Sequence, residues 1–385
     1  MGSNPLTQLQ GFGQSVWYDN IGRGLLVAGG LKKMVDEDAV VGLTSNPSIF
    51  QKAIATTDEY DSAIAELVAS GADAERVLDT LMAEDVGMAA DLLHATFDTT
   101  GSVDGWVSIE VNPALAYDTE NTVVEARRLR ALVGRPNVLV KVPATEQGIP
   151  AIERLISEGL SVNVTLIFSI DRYREVMGAY LTGMEHLITR RAEGEDLPEP
   201  ASVRSVASFF VSRVDSLCDT LLEAAADGAD AEQTDALLAL RGQAAVANAK
   251  LAYQAFLETF AGPRWEKLES AGAKVQRPLW ASTSTKNKAY SDVLYVDELI
   301  GPDTVNTMPH ATLEAYRDHG DPRVTLTQGV EAARRLIGAI ELAGIAMSDV
   351  TSRLEAEGVA AFADSFESLM ATLRAKRDGL AGGQG

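Results

Sequence analysis

The sequence of 385 residues contains one cysteine, four histidines and few aromatic residues. Cys218 has no second cysteine in the chain with which to form a disulfide, and a single thiol cannot build a tetrahedral thiolate metal site. It lies in an apolar helical pattern and is predicted to be a core residue. The histidines show no metal-ligand spacing, so we predict no metal site; they are His94, His186, His310 and His319.

Positive charge is also scarce. The 33 lysines and arginines against 55 acidic residues give a net charge of −22, which repels nucleic acid and anionic membrane surfaces. No apolar run reaches the roughly 18 residues of a membrane span, and the N-terminus has no signal-peptide pattern. We therefore expect a cytoplasmic protein that contacts neither nucleic acid nor membrane, with monomer and homodimer both open. An anionic substrate would require a locally positive pocket.

Short β-rich runs alternate with long helical patterns, which predicts an α/β fold, a (β/α)8 TIM barrel with additional helices. The extra helices fall between Gln51 and Gly101 and in a terminal amphipathic helix from Val359 to Lys376, and residues 192–202 form an acidic loop. No linker divides the chain, so residues 1–385 are predicted to be one domain. The predicted strands cover residues 15–19, 40–44, 106–112, 138–142, 162–168, 204–210, 276–282 and 304–307.

Five predicted strands place polar residues on the face opposite their apolar face. Alternate residues of a barrel strand face the helices and the interior, so these polar groups should converge in the interior. Core stability alone does not explain such a set. It comprises Asp19, Thr44, Asn46, Glu110, Lys141, Asn163 and Thr165.

Lys141 is the most informative of these residues, because it lies between Val140 and Val142 on a valine-rich strand. Burial disfavours the charged form of an amine. A neutral amine can attack a carbonyl group to form a Schiff base, for which Glu110 and Asp19 would supply proton transfers. Alternatively, Lys141 extends to solvent or pairs with Glu110 in a buried ion pair.

Several of the other polar residues also have structural interpretations. Asn46 precedes Pro47, a pattern typical of a helix N-cap followed by proline at the first helical position. Asp19 lies in a turn-like neighbourhood, and Thr44 and Thr165 are good strand formers.

Two segments after late strands suggest a phosphate site, since barrels often bind phosphate there. Arg213 follows the sixth predicted strand, and the seventh is followed by Ser282, Thr283, Ser284 and Lys286. Hydroxyl groups, backbone amides and cations are suitable phosphate ligands. A serine- and threonine-rich loop without a ligand is the alternative.

Two segments resemble the signatures of the transaldolase family. VVGLTSNPSIF (residues 40–50) is similar to the first, and NVLVKVPATEQGIPAIERL (residues 137–155) to the second, which carries the Schiff-base lysine. SIEVNP, NVTLIFS and SFFVSR agree in order, so the resemblance spans nearly the whole chain and is nearest to the larger bacterial members. It implies transfer of a dihydroxyacetone unit between sedoheptulose 7-phosphate and glyceraldehyde 3-phosphate, giving erythrose 4-phosphate and fructose 6-phosphate in the pentose phosphate pathway, without a metal or organic cofactor.

The resemblance also implies a role for each matching residue. Lys141 would be the nucleophile, Glu110 with Thr165 would handle protons through a water, and Asp19 would serve the hydroxyl beside the breaking C–C bond. The others would bind substrate: Thr44, Asn46, Asn163 and Ser208 the three-carbon unit, Arg213 and Lys286 the phosphate.

The chain departs from the family pattern after the seventh strand, where Lys286 stands in for the arginine of a short S-x-R motif. Two other functions remain open. One is an aldolase of the same barrel, related to fructose 6-phosphate aldolase, although Glu110 and Phe210 favour transfer. The other is a non-catalytic barrel that binds sugar phosphates.

Overall fold

The computed structural model describes residues 4–382, which contain a closed barrel of eight parallel strands paired in chain order from β1 to β8. This architecture confirms the predicted (β/α)8 barrel, and each strand begins and ends within two residues of its predicted position. The strands are β1 Gln14–Asp19, β2 Val40–Thr44, β3 Trp106–Glu110, β4 Val138–Pro143, β5 Val162–Ile167, β6 Ser205–Phe210, β7 Arg277–Ala281 and β8 Thr304–Met308.

Helices connect consecutive strands and surround the barrel. As predicted, the region between β2 and β3 holds several of them. The helices are α1 Pro5–Leu9, α2 Arg23–Val27, α3 Gly30–Asp38, α4 Pro47–Thr56, α5 Asp61–Ala69, α6 Ala74–Thr99, α7 Thr119–Val133, α8 Gly148–Ser157, α9 Ile170–Ala192, α10 Ser212–Ala226, α11 Ala231–Leu238, α12 Ala244–Thr259, α13 Pro263–Ser270, α14 Leu294–Asp297, α15 His310–His319, α16 Val330–Leu342 and α17 Met347–Gly382, with short 3₁₀ turns at Gln10–Phe12, Pro113–Leu115 and Pro200–Ser202.

The strand register brings the predicted polar residues to one level of the barrel. Asp19 lies opposite Thr44, Glu110 opposite Lys141, and Lys141 opposite Asn163. Asp19, Thr44 and Glu110 are the last residues of their strands and Lys141 lies two residues before the end of β4, at the end of the barrel where barrel enzymes carry their active sites. Asn163 lies deeper, as the second residue of β5.

The opposite, N-terminal end of the barrel is closed by bulky and polar side chains. Trp17 occupies the interior against Gly42, where a Cβ atom would lie 2.4 Å from the indole ring. Asp104 accepts hydrogen bonds from the Ser15 hydroxyl at 2.8 Å and from Arg277 at 3.1 Å. Only glycine fits at position 42, because any side chain there would overlap the Trp17 ring.

Three boundaries differ from the sequence-based expectation. The terminal helix α17 spans 36 residues and begins at Met347 rather than Val359. The acidic loop is shorter, because α9 continues through Ala192 and a 3₁₀ turn begins at Pro200. Strand β3 ends at Glu110, since Asn112 caps the turn that starts at Pro113 by accepting from the Ala114 amide at 3.0 Å. Throughout the described residues, every helix is too short or too polar to reach through a lipid bilayer.

Candidate active site

A cavity of about 250 Å³ lies at the C-terminal end of the barrel strands. It collects eight of the ten residues predicted from the sequence as site residues. Its lining consists of Asp19, Thr44, Asn46, Ser48, Lys141, Thr165, Ser208, Phe210, Arg213, Ala281, Ser282, Ser284, Lys286, Thr307, Pro309 and Phe362.

Lys141 reaches this cavity from β4 and is only 5% exposed. Its ammonium group donates hydrogen bonds to the Ser45 carbonyl oxygen at 3.1 Å and to Oε2 of Glu110 at 3.2 Å. The ring of Phe362 lies on another side, with its centroid 5.7 Å from Nζ. The buried ion pair considered from the sequence is therefore present, and its amine also faces the cavity.

Glu110 lies behind Lys141 rather than in the wall of the cavity, and it is 7% exposed. Its burial raises the pKa of the carboxyl group, while the Lys141 ammonium opposes that rise through its charge and hydrogen bond. Thr165, which does line the cavity, has a buried hydroxyl group without a hydrogen-bond partner among the described residues. Buried hydroxyls rarely remain unpaired, so this group is suited to a ligand or a water molecule.

Asp19 stands at the end of β1 and accepts a hydrogen bond from the Thr44 hydroxyl at 2.7 Å. The Thr44 hydroxyl is also 2.7 Å from that of Thr307. Burial raises the pKa of Asp19, and the bond from Thr44 and the charges of Lys141 and Lys286 act in the opposite direction. A carboxyl group with a raised pKa is suited to accept and return a proton near neutral pH.

The two asparagines occupy different positions. Asn46 caps α4, because its side-chain oxygen accepts from the Ile49 amide at 3.1 Å and from the Ser48 hydroxyl at 2.6 Å, yet the residue also lines the cavity. Asn163 is fully buried. It donates to the Ser108 hydroxyl at 3.0 Å and accepts from the Ser208 hydroxyl at 2.7 Å. Asn163 therefore supports the cavity wall through Ser208 rather than lining it.

Two cations besides Lys141 line the cavity. The Arg213 guanidinium lies 5.5 Å from the centroid of the Phe210 ring, and the Lys286 ammonium donates to the Ser284 hydroxyl at 2.6 Å. Burial lowers the pKa of both groups, and the charge of Arg213 adds to the lowering for Lys286. An anion bound between the two cations would offset their mutual repulsion.

The hydroxyl residues after β7 point in different directions. Ser282 and Ser284 line the cavity, as predicted for a phosphate site. The prediction that Thr283 joins them is wrong, because its side chain is buried and donates to the Thr307 carbonyl oxygen at 3.2 Å. The left-handed backbone of Ser282, with φ of 57°, breaks the alternation of side chains at this point.

A second cavity of about 260 Å³ lies at the N-terminal end of the barrel, with Arg204 and Arg277 in its wall. Arg204 donates to the carbonyl oxygens of Gly101, Ser102 and Ala201 at 2.7–2.9 Å. Arg277 donates to the Val103 and Thr304 carbonyls and to Asp104. These arginines hold the loop before β3 against the barrel, which assigns them a structural role.

Phe362 and Thr307 belong to the site but were not singled out from the sequence. Phe362 lies on α17, far along the chain from every catalytic candidate, and helical periodicity identifies only its apolar face. Thr307 could have been found by applying the alternation rule to β8. Among residues 4–382, no three His, Cys, Asp or Glu side chains are grouped so as to hold a metal ion.

The fold and the cavity together define a (β/α)8 barrel enzyme whose polar site lies at the C-terminal ends of the strands. Residues 16–373 match the family described as Transaldolase/Fructose-6-phosphate aldolase. The chain is 48% identical to "Transaldolase 2" of Streptomyces coelicolor over 384 residues, covering 100% of both chains. It is 49% identical to "Transaldolase 1" of Streptomyces avermitilis over 376 residues (96% of each chain) and 50% identical to "Transaldolase" of Mycolicibacterium paratuberculosis over 370 residues (95% and 96%). The chain therefore belongs to the transaldolase family of enzymes.

Proposed function

We propose that this enzyme transfers a dihydroxyacetone unit from sedoheptulose 7-phosphate to glyceraldehyde 3-phosphate through a Schiff base on Lys141. The products are erythrose 4-phosphate and fructose 6-phosphate, which belong to the pentose phosphate pathway. The observation that carries the proposal is the buried amine of Lys141, 3.2 Å from the Glu110 carboxylate and facing a cavity that also contains Asp19.

Imine formation begins when Lys141 loses its proton. Glu110 is the nearest acceptor, and its raised pKa favours taking that proton. The neutral amine adds to the ketone carbon of the sugar, and the carbinolamine then loses water as Glu110 returns a proton to the leaving oxygen. The unpaired hydroxyl of Thr165 provides a position for a water molecule that carries these protons.

The iminium then accepts the electrons of the breaking C–C bond. Asp19 takes the proton of the adjacent hydroxyl group, an aldehyde leaves, and an enamine remains on Lys141. The acceptor aldehyde enters, the enamine carbon attacks it, and Asp19 returns its proton to the new hydroxyl oxygen. Hydrolysis of the imine releases the product ketose, so the same groups serve both directions.

The remaining residues bind substrate. Thr44, Asn46 and Ser208 contact the hydroxyl groups of the three-carbon unit, and Asn163 orients Ser208. Arg213 and Lys286 hold the phosphate, assisted by the hydroxyl groups of Ser282 and Ser284. This assignment rests on the two cations that line the cavity, Arg213 after β6 and Lys286 after β7.

Aldol cleavage without transfer is the second candidate, since the family includes fructose 6-phosphate aldolase. The ring of Phe210 lines the cavity and Glu110 contacts Lys141. An apolar ring and a carboxyl group at these positions favour transfer, because relatives that cleave tend to have tyrosine and glutamine there. A barrel that only binds sugar phosphates would have no use for a buried amine beside a carboxyl group.

Borohydride reduction with fructose 6-phosphate, followed by peptide mass spectrometry, tests the covalent step. The expected result is a reduced adduct on Lys141 and none on Lys250, a second buried lysine that pairs with Glu298 at 3.0 Å. The absence of an adduct on Lys141 would leave only the binding function.

Product analysis then distinguishes transfer from cleavage. We expect sedoheptulose 7-phosphate when fructose 6-phosphate and erythrose 4-phosphate are supplied together, and little free aldehyde when erythrose 4-phosphate is omitted. Equal release of glyceraldehyde 3-phosphate in both cases would identify an aldolase. We further propose that residues 1–385 act as one domain in the cytoplasm, without metal or organic cofactor, as a monomer or homodimer.

A further inference from the structure

The loop that carries Lys286 runs from Ser282 to Val293, between β7 and α14. Its first residue is attached to the start of α10, because the Ser212 amide donates to the Ser282 carbonyl at 3.1 Å and the two hydroxyl groups are 2.9 Å apart. Arg213 is the next residue of α10. The beginning of the loop is therefore fixed beside the other cation of the cavity.

The far part of the loop is attached to the same helix by Tyr290. Its hydroxyl donates to Oδ2 of Asp219 at 2.7 Å, and the other oxygen of Asp219 accepts from the Gly242 amide at 2.9 Å. The ring packs on Gly242, where a Cβ atom would lie 2.7 Å from it. Gly242 thus leaves room for this ring.

A second aspartate of α10, one helical turn before Asp219, also accepts hydrogen bonds from a tyrosine hydroxyl and a backbone amide. Asp215 accepts from the Ala245 amide at 2.7 Å and from the Tyr295 hydroxyl at 2.8 Å. Residues four apart in a helix lie on the same face, so Asp219 meets Tyr290 in the loop and Asp215 meets Tyr295 in α14, just after it. Both acids are buried, at 2% exposure for Asp215 and 8% for Asp219.

We propose that the Asp219–Tyr290 hydrogen bond, supported by Asp215–Tyr295, is a positioning device that holds Lys286 beside Arg213 for binding of the substrate phosphate. This inference rests on the proposed function, in which these two cations bind that phosphate. Tyr290 is a positioning residue and does not itself touch the substrate.

The physical reason is the like charge of the two cations. The Lys286 residue is exposed on the loop, although its ammonium group is partly buried in the cavity. The ammonium donates a hydrogen bond to Ser284, and the charge of Arg213 repels it while that of Asp19 attracts it. A long lysine side chain on an untethered loop would move away from Arg213 into solvent. Attachment of the loop to α10 on both sides of Lys286 limits that movement.

The test compares Tyr290→Phe, which removes only the hydroxyl, with Tyr253→Phe as a matched control. Tyr253 is buried on α12 and donates to the Pro302 carbonyl oxygen at 3.0 Å, away from the loop. For Tyr290→Phe we expect KM for fructose 6-phosphate to rise about five- to tenfold with little change in kcat, the size expected for the loss of one ordinary hydrogen bond. Tyr253→Phe should leave KM unchanged.

Trapping with dihydroxyacetone provides a readout without phosphate. Borohydride reduction should label Lys141 of the Tyr290→Phe protein at the wild-type rate, because that substrate does not use the cations. In the Lys286→Ala background, Tyr290→Phe should change KM less than twofold, since the group that it positions is absent. A full effect in that background, or slower trapping with dihydroxyacetone, would overturn the inference.

The outcomes separate this inference from the proposed function. If Lys286→Ala raises KM for fructose 6-phosphate but Tyr290→Phe does not, the positioning device is refuted and the phosphate site stands. If neither variant affects KM while Lys141 is still labelled, the phosphate assignment fails and takes the inference with it.

Discussion

The buried carboxyl group of Asp215 predicts that the fold becomes less stable as the pH rises through the weakly acidic range. Burial, with a smaller contribution from the charge of Asp219, raises its pKa from an ordinary 3.8 to about 6; the hydrogen bonds from Ala245 and Tyr295 oppose the rise. The folded state therefore binds this proton more tightly than the unfolded state. The resulting stabilisation is complete below about pH 3.8 and is lost as the pH rises to about 6.

The size of the effect follows from the shift. About two pKa units at ~1.4 kcal/mol each give a total of about 3 kcal/mol. Between pH 4.5 and pH 7.5, where the protein can be studied away from acid unfolding, the same linkage gives a change of about 2 kcal/mol. Between these two pH values, the contribution of Asp215 to the free energy of unfolding should therefore fall by about 2 kcal/mol. Contributions of other groups add to this one.

Asp215→Asn isolates the contribution, because other groups titrate in both proteins and largely cancel in the difference. The amide can still accept from Ala245 and donate to the Tyr295 oxygen, so the variant should fold. Urea unfolding at several pH values should show the variant gaining about 2 kcal/mol relative to the wild type from pH 4.5 to pH 7.5. Asp171→Asn, at a side chain that is 91% exposed, should run parallel to the wild type. A constant difference, or one of opposite sign, would refute the reasoning.

Three further predictions concern the cavity. Lys141→Ala should abolish turnover in a coupled assay for glyceraldehyde 3-phosphate, whereas Lys250→Ala should retain it; residual wild-type activity would remove Lys141 from the mechanism. Glu110→Gln should slow single-turnover trapping of the imine by about 100-fold or more with little change in substrate binding, because it alters proton transfer rather than shape, and an unchanged rate would exclude this role. Phe362→Leu should keep the helix packed but admit water beside Lys141, so release of glyceraldehyde 3-phosphate without an acceptor should increase relative to transfer; an unaltered ratio would contradict that function of the ring.

Much of the site could be predicted because alternate residues of five strands separate into an apolar and a polar face. Val140 and Val142 point to one face of β4, so Lys141 must point to the other, and this argument needs no tertiary information. The same rule identified Asp19 and Thr165. The wrong prediction for Thr283 came from the composition of the loop after β7 and not from this rule, which does not extend past the left-handed backbone at Ser282.

Features that arise only when distant elements meet could not be predicted in this way. Phe362 reaches the amine because α17 packs across α4, α5 and α10, and an amphipathic pattern does not tell which cavity its apolar face covers. Asp215 and Asp219 have the spacing of acids on an exposed helix face. Their burial becomes apparent only once Tyr290 and Tyr295 are seen to cover them.

The positive part of the cavity is notable in a chain whose net charge is −22. Excess negative charge over the surface repels a sugar phosphate at long range, so capture depends on cations at short range, within about one Debye length. Burial lowers the pKa of both Arg213 and Lys286, and the charge of Arg213 lowers that of Lys286 further, so the charged form of each group is disfavoured in this part of the cavity. A phosphate dianion removes that repulsion and adds attraction to both cations. A neutral sugar of the same shape gains neither contribution, so the two cations should select for phosphorylated substrates. Raising the salt concentration should therefore weaken the binding of fructose 6-phosphate and leave the binding of dihydroxyacetone largely unaffected.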